Sequence, residues 1–191
     1  MYRAYWIALL MTLPTLCVAA PHKRLDLRNK TDANGEYSVS LCARSSDGPM
    51  KLPGHAFVSY NFKPTGKEWR SFALGFTTNS AVKGMLSYSK LLAQPAGYLN
   101  EEMYSSVNEN CLLLLVNESD FNKAMSRAQP FHTIPALASL KYTAVYSLTS
   151  NDCITFMTEV AGEFKPRGVN VPVRSATDLP LVYLRKLIDA N

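Results

Sequence analysis

Residues 149–156 of the chain read Thr149-Ser150-Asn151-Asp152-Cys153-Ile154-Thr155-Phe156. This pattern predicts the end of a strand, a tight polar turn and a cysteine at the start of an apolar helix. Ser150, Asn151 and Asp152 all favour the N-cap position, so the helix should begin within a residue or two of Cys153. The apolar residues that follow recur at intervals of three and four, which predicts one buried helical stripe made of Met157, Val160, Ala161 and Phe164.

Cys153 is a candidate nucleophile because of this predicted position. A thiol at a helix N-terminus faces unpaired backbone N–H groups and the positive end of the helix dipole, and both favour the thiolate. The alternative is a buried structural cysteine, since free cysteine is among the most buried residue types. The stretch by itself leaves both interpretations open.

Residues 1–19 have the pattern of a secretory signal peptide. Arg3 supplies a basic residue, residues 6–18 are apolar, and small residues precede Ala20. We therefore expect cleavage after Ala19, a single domain over residues 20–191, and no transmembrane segment. The predicted location is the periplasm or the exterior of the cell.

The net charge is modest, and the lysine and arginine residues are scattered along the chain. It amounts to +5 at pH 7, without a basic cluster in the predicted folded part. Such a charge suits an acidic polymer or a membrane surface, but it gives no reason to expect a nucleic-acid partner.

Three cysteines remain once the predicted signal peptide, which contains Cys17, is removed. An odd number in an oxidising compartment usually means one disulfide and one free thiol. Cys42 and Cys111 both lie in strand-like sequence, whereas Cys153 lies at a helix start. We therefore predict a Cys42–Cys111 disulfide and a reduced Cys153.

His55 begins a second stretch of interest, Gly54-His55-Ala56-Phe57-Val58-Ser59-Tyr60-Asn61-Phe62. Aromatic and β-branched residues dominate it, which predicts a strand with His55 at its start. A turn at residues 63–67 and a returning strand over residues 69–76 should follow. A single histidine near a strand end is more often structural than catalytic, and His132 is interpreted as a loop histidine.

The remaining pattern predicts an α+β fold. Gly162 should end the Cys153 helix in a left-handed conformation, with Pro166 shortly beyond. A strand over residues 111–116 should be central, because it is wholly apolar. Further elements are predicted as helices over 80–92, 118–128 and from Asp178 onward, and strands over 142–148 and, at an edge, 169–173.

No metal or cofactor is expected. The chain has no Cys or His pair at ligand spacing and no glycine-rich phosphate loop after a strand. Glu101 and Glu102 lie in loop-like sequence without a second carboxylate for glycosidase chemistry.

The order of these elements resembles a circularly permuted papain-like fold. A histidine strand comes first, then a returning strand that ends in Leu74-Gly75-Phe76, and then a tyrosine-bearing strand that leads into Asn151-Asp152-Cys153. The order is similar to that of the permuted NlpC-type cell-wall peptidases, and lecithin retinol acyltransferase-like enzymes share it. The resemblance covers residues 54–161. It implies an antiparallel sheet packed against the cysteine-bearing helix.

The resemblance also implies roles for individual residues. Cys153 would be the nucleophile and His55 the general base, and Cys153, Asp152 and Asn151 would form the helix cap and the oxyanion site. Such enzymes orient the histidine with a third polar residue. With the hairpin centred on Thr65, Gly75 stands opposite His55, and Thr77 is the nearest polar residue on that face.

These roles imply an exported cysteine hydrolase that cleaves amide bonds in peptidoglycan stem peptides as a monomer. A lipid acyltransferase or esterase of the same fold is the first alternative. A non-catalytic exported binding protein is the second, and the reactivity of Cys153 toward alkylation separates it from the enzymes.

Overall fold

The computed structural model describes residues 23–29, 35–45, 54–87, 95–102, 110–128 and 144–191. The predicted signal peptide, His132 and the second half of the predicted 80–92 helix lie outside these residues. The predicted limits of the domain, 20–191, are not tested by them.

The described part of the chain is built on one seven-stranded sheet with the order β1-β6-β2-β3-β4-β5-β7. Neighbouring strands are antiparallel except β1 and β6, which are parallel. The α+β class is therefore confirmed. The sheet is mixed rather than antiparallel throughout, because β1 and β6 are parallel. The strands are β1 (Lys23–Asp26), β2 (Gly35–Arg44), β3 (His55–Pro64), β4 (Arg70–Thr78), β5 (Ala96–Glu101), β6 (Asn110–Val116) and β7 (Ala144–Val145).

Three helices cover one face of this sheet. They are α2 (Glu118–Ser126), α3 (Cys153–Gly162) and α4 (Pro180–Asp189), whereas the short α1 (Ala81–Leu86) follows β4. Alternate residues of the strands face the helices, for example Val39 and Leu41 in β2 and Val58 and Tyr60 in β3. This alternation is the ordinary result of a strand that has one face on the core.

Helix α3 packs against β3 and β4, and it forms as predicted. Asp152 is its N-cap and accepts hydrogen bonds from the backbone N–H groups of Ile154 and Thr155. The predicted stripe is buried, with Met157, Val160, Ala161 and Phe164 all at 0% exposure. The helix ends at Gly162 as predicted, but Gly162 is not left-handed: the chain continues into a 3-10 turn (Lys165–Arg167), and the left-handed glycine is Gly168, with φ of 91°.

Several predicted strands differ from the structure. Residues 169–173 form no strand, because side chains hold them instead: Tyr183 donates to the Pro172 carbonyl, and Asn170 bonds to Asn191. Strand β6 lies second from the edge rather than at the centre, with β1 outside it. Strands β1 and β5 were not predicted, and within 142–148 the described strand is only the two-residue β7.

The predicted disulfide is present. Cys42 and Cys111 stand directly opposite each other on β2 and β6, with their Cα atoms 4.2 Å apart. Cys153 is free and buried. Phe57 and Ala73 pack with the disulfide on the sheet face opposite the helices.

Removing this disulfide should lower the free energy of unfolding substantially. The bridged cysteines are 69 residues apart, and opening a loop of that length costs on the order of 4 kcal/mol through the entropy of the unfolded chain. Chemical denaturation of a Cys42→Ala/Cys111→Ala double variant measures this loss. A loss below about 1 kcal/mol would show that the bridge constrains the unfolded state little.

Candidate active site

His55 lies at the first residue of β3, and its placement depends on the glycine before it. Gly54 has φ of +84°, in the left-handed region that favours glycine. A β-carbon there would lie 2.4 Å from the Arg44 carbonyl oxygen. Gly54 therefore lets the chain enter β3 tightly against the end of β2, which fixes His55 opposite Arg44.

Cys153 lies at the first residue of α3, with 3% of its surface exposed. Helix α3 packs on β3 and β4, and the interaction between Cys153 and the His55 ring brings the start of the helix to the start of β3. The structure thus brings together Cys153 and His55, which are 98 positions apart in the sequence.

The His55 ring interacts with two groups. Its Nε2 atom lies 3.0 Å from Oε1 of Glu102, and the ring also interacts with Cys153. Since Nε2 is engaged with Glu102, Nδ1 is the ring nitrogen available to the thiol. Burial by itself lowers the pKa of His55, but hydrogen bonding and charge interaction with Cys153 and Glu102 outweigh burial and raise that pKa to about 9.

Arg44 joins Cys153, His55 and Glu102 as the fourth residue of this arrangement. Arg44 donates from Nη2 to Oε2 of Glu102 at 2.6 Å, so each carboxylate oxygen has a partner. The Glu102 side chain is only 7% exposed. Burial raises the pKa of Glu102, but His55 and Arg44 together lower it below its ordinary value. Glu102 therefore remains a carboxylate that can orient the imidazole and stabilise its charge.

Glu102, rather than the predicted Thr77, is the side chain that bonds to the His55 ring. The hairpin is centred on Gly66 rather than Thr65, so the β3–β4 register differs from the predicted one by two residues, and it ends with Val58 opposite Leu74. Glu102 lies just beyond β5, the strand adjacent to β4, and its backbone N–H donates to the Ala73 carbonyl. Residues 96–101 show no clear strand pattern in the sequence, and Glu102 was therefore expected in a loop.

Gly75 provides the space in which His55 and Glu102 meet. A β-carbon at Gly75 would lie 2.2 Å from His55 Nε2 and 2.9 Å from Glu102 Oε1. Both distances are far below van der Waals contact. Any side chain at position 75 would therefore displace the imidazole from the carboxylate.

We expect Gly75→Ala to lower the alkylation rate of Cys153 at pH 6 by about tenfold or more, because a displaced imidazole no longer stabilises the thiolate. The alkylation rate of Cys153 measures the effect, with circular dichroism as the check on folding. Gly162→Ala is the matched control, because a β-carbon there meets nothing within 4 Å. Equal rates in the two variants would contradict the proposed position of the ring.

Tyr146 is a site residue that the sequence analysis missed. It is 7% exposed and its ring stacks on Phe76, with the centroids 5.7 Å apart. Burial, together with the nearby Cys153 and Asp152, raises the pKa of Tyr146, so its hydroxyl stays protonated. The hydroxyl interacts with Cys153. It can therefore donate a hydrogen bond to negative charge that develops at the thiol.

Asp152 and Asn151 have separate roles. Asp152 caps α3 and also forms a bidentate ion pair with Arg174, with both N–O distances at 2.6 Å. This pair neutralises the carboxylate next to Cys153. Asn151 was predicted to share the cap, which is wrong: its side-chain amide donates to the Val145 carbonyl and holds the turn before α3.

A pocket of about 290 Å³ opens beside Cys153. Gly54 and Tyr146 lie on its wall, and the segment that leads into α4 closes the other side. A substrate bound there would place a group against the thiol.

The raised pKa of His55 predicts a pH-dependent stability. Its pKa rises from 6.5 to about 9 on folding, so the contribution is complete below pH 6.5 and is lost as the pH rises through about 9. With 19% of the side chain exposed, the loss should be on the order of 2–3 kcal/mol. Urea denaturation between pH 6 and 10 measures it. The same measurement on His55→Gln separates the contribution of His55 from that of other groups. If the free energy of unfolding of the two proteins changed with pH in parallel, the pH dependence would not come from His55.

The chain matches no protein-family model, no curated protein and no solved structure. The interpretation of the site therefore rests on its geometry. Within the described ranges, no helix is long and apolar enough to cross a membrane. The same part of the chain contains no cluster of three or more His, Cys, Asp or Glu side chains that could hold a metal ion.

Proposed function

We propose that the protein is an exported cysteine hydrolase with a permuted papain-like fold, in which Cys153, His55 and Glu102 form the catalytic group. The observation that carries this proposal is the position of His55 between a helix-start thiol and a buried carboxylate. This is the general arrangement of a nucleophile, a base and a group that orients the base.

The arrangement supports a two-step reaction. The Cys153 thiolate attacks the carbonyl carbon of an amide, and the His55 imidazolium transfers its proton to the leaving amine as the C–N bond breaks. His55 then deprotonates a water molecule that attacks the thioester; the C–S bond breaks, the acid is released, and the Cys153 thiolate and the His55 imidazolium are restored. Glu102 keeps the imidazole oriented through both steps and stabilises its positive charge.

Two donors can stabilise the oxyanion. Asp152 takes the N–H groups of Ile154 and Thr155, whereas the Cys153 N–H has no acceptor among the described residues. The Tyr146 hydroxyl is the second donor beside the sulfur. Two such donors are the usual composition of an oxyanion hole.

The proposed substrates are amide bonds of peptidoglycan stem peptides. Cleavage or transfer of a lipid ester is the second candidate, favoured by the apolar side chains of the pocket beside Cys153. A non-catalytic binding protein remains the alternative outside the enzymes.

Incubation with purified peptidoglycan and, separately, with phospholipid vesicles distinguishes these functions. Mass spectrometry of the products should show new amino and carboxyl ends in stem peptides, or released or transferred acyl chains. Cys153→Ala serves as the matched control. Absence of product in both incubations, with Cys153 unmodified, would favour the binding protein.

A further inference from the structure

Arg174 lies in the segment between the 3-10 turn and α4, where residues 169–179 form neither helix nor strand. Its neighbour Val173 is 93% exposed, whereas the Arg174 side chain is only 14% exposed. The guanidinium therefore turns inward from an exposed stretch of chain. It reaches Asp152, the residue that caps the helix of Cys153.

The guanidinium bonds to three parts of the structure around the start of α3. Nη1 donates to Oδ1 of Asp152 at 2.6 Å and to the Thr155 hydroxyl at 3.1 Å. Nη2 donates to Oδ2 of Asp152 at 2.6 Å and to the Leu148 carbonyl at 2.7 Å. Arg174 thus connects the turn before α3, the helix cap and the first helical turn.

The stability of the fold gives little reason for this arrangement. Arg174 Nε is buried and has no acceptor among the described residues, and burying a donor without an acceptor is unfavourable. The ion pair is itself buried, with the Asp152 side chain 2% exposed. Such pairs often stabilise a protein no more than apolar side chains of similar size. The chemistry of the neighbouring cysteine gives the charge of Arg174 a purpose.

Asp152 and Arg174 act on the site in opposite directions. Asp152 directly precedes Cys153, and a nearby like charge disfavours a second negative charge. The Tyr146 hydroxyl, which interacts with Cys153, senses both members of the pair. Burial and the Cys153 charge are the largest causes of the raised pKa of Tyr146; the Asp152 charge raises this pKa further, and the Arg174 charge lowers it. Without Arg174, the cap of the helix would oppose the thiolate.

We propose that Arg174 is a positioning residue that acts through Asp152: it lets this carboxylate cap the cysteine helix without opposing the negative charge of the reacting sulfur. The inference rests on the proposed function, because it takes Cys153 as the nucleophile. The other charged and titratable groups around the thiol in the described structure are His55, Glu102, Tyr146 and Asp178. Asp178 is paired with Lys186 at 2.6 Å, so Asp152 is the carboxylate that depends on Arg174 for its neutralisation.

The pH dependence of Cys153 alkylation tests this proposal in the full mature chain. Iodoacetamide labelling from pH 4 to 10, followed by peptide mapping, gives the pH at which the rate is half-maximal. Arg174→Gln leaves the Asp152 charge unopposed and should move this midpoint up by about one pH unit or more. A contact that only supports the fold would change the midpoint in no fixed direction.

Replacing the carboxylate provides the opposite change. Asp152→Asn keeps a side chain suited to the N-cap and leaves the Arg174 charge unopposed, so the midpoint should move to lower pH. The double variant Asp152→Asn/Arg174→Gln carries neither charge, and its midpoint should return close to that of wild type. His55 and Glu102 are the same in all four proteins, so the differences report the Asp152–Arg174 pair.

Arg185→Gln is the matched control, because Arg185 is an exposed arginine of α4 outside the pocket lining. It removes the same charge from the chain, and its midpoint should match that of wild type. An equal shift in Arg185→Gln and Arg174→Gln would show an effect of net charge alone and overturn the proposal.

The outcomes separate this inference from the proposed function. An unchanged midpoint in Arg174→Gln, or a double variant that keeps the midpoint of Arg174→Gln, would overturn the inference and leave the hydrolase standing. Resistance of wild-type Cys153 to alkylation at every pH until the protein is unfolded would overturn both. If Arg174→Gln does not fold, Asp152→Asn and the double variant still decide, because neither leaves a buried carboxylate unpaired. A midpoint of Asp152→Asn that equals or exceeds that of wild type would then overturn the inference.

Discussion

Cys153→Ala should abolish turnover while the protein remains folded. In the described part of the chain Cys153 is the one free cysteine, and removing a catalytic nucleophile typically costs at least about 10⁴-fold in kcat. The side chain is small and 3% exposed, so its loss should reduce the free energy of unfolding by only about 1 kcal/mol. Product analysis and thermal denaturation measure the two effects. If the variant kept wild-type turnover, Cys153 would be a buried structural cysteine and not a nucleophile.

Glu102→Gln should reduce kcat/KM on the order of 10²- to 10⁴-fold, since the amide cannot stabilise the imidazolium or hold the same tautomer. The pKa of His55 should fall as well, because the Glu102 charge contributes to raising it. An NMR titration of His55 reads this second effect, which a purely structural role would not produce.

Glu101→Gln is the matched control for this variant, because Glu101 is adjacent and exposed. It should leave both kcat/KM and the His55 titration unchanged. If Glu102→Gln behaved like Glu101→Gln, the carboxylate would have no part in the reaction.

The positions of Cys153 and His55 could be predicted because each is specified by the sequence around it. The Asp152 cap and the apolar spacing after Cys153 determine a helix start within a few residues of sequence. Glycine, histidine and the β-rich run after Gly54 determine a strand start in the same way. The disulfide was predictable because only one pairing leaves Cys153 free.

The contact between Glu102 and His55 could not be predicted because it depends on two features that are distant in the sequence. Glu102 reaches His55 only through the pairing of β4 with β5, and β5 has the weak pattern Ala-Gly-Tyr-Leu-Asn-Glu. The centre of the hairpin lies at Gly66 rather than Thr65, which moves the register by two residues, and the β3–β4 pairing ends at Val58 opposite Leu74, before it reaches His55. The role of Tyr146 likewise depends on packing against Phe76 rather than on local sequence.

The central claim, that Cys153 and His55 form a reactive ion pair, is tested most directly by the alkylation rate of Cys153 at pH 6. Iodoacetamide labelling followed by peptide mapping gives the rate for Cys153 itself, in wild type and in His55→Ala. We predict that wild-type Cys153 reacts at least about tenfold faster than a free cysteine, whose pKa is about 8.5, and that His55→Ala removes the advantage. Resistance of Cys153 until the protein is unfolded, or equal rates with and without His55, would contradict the claim.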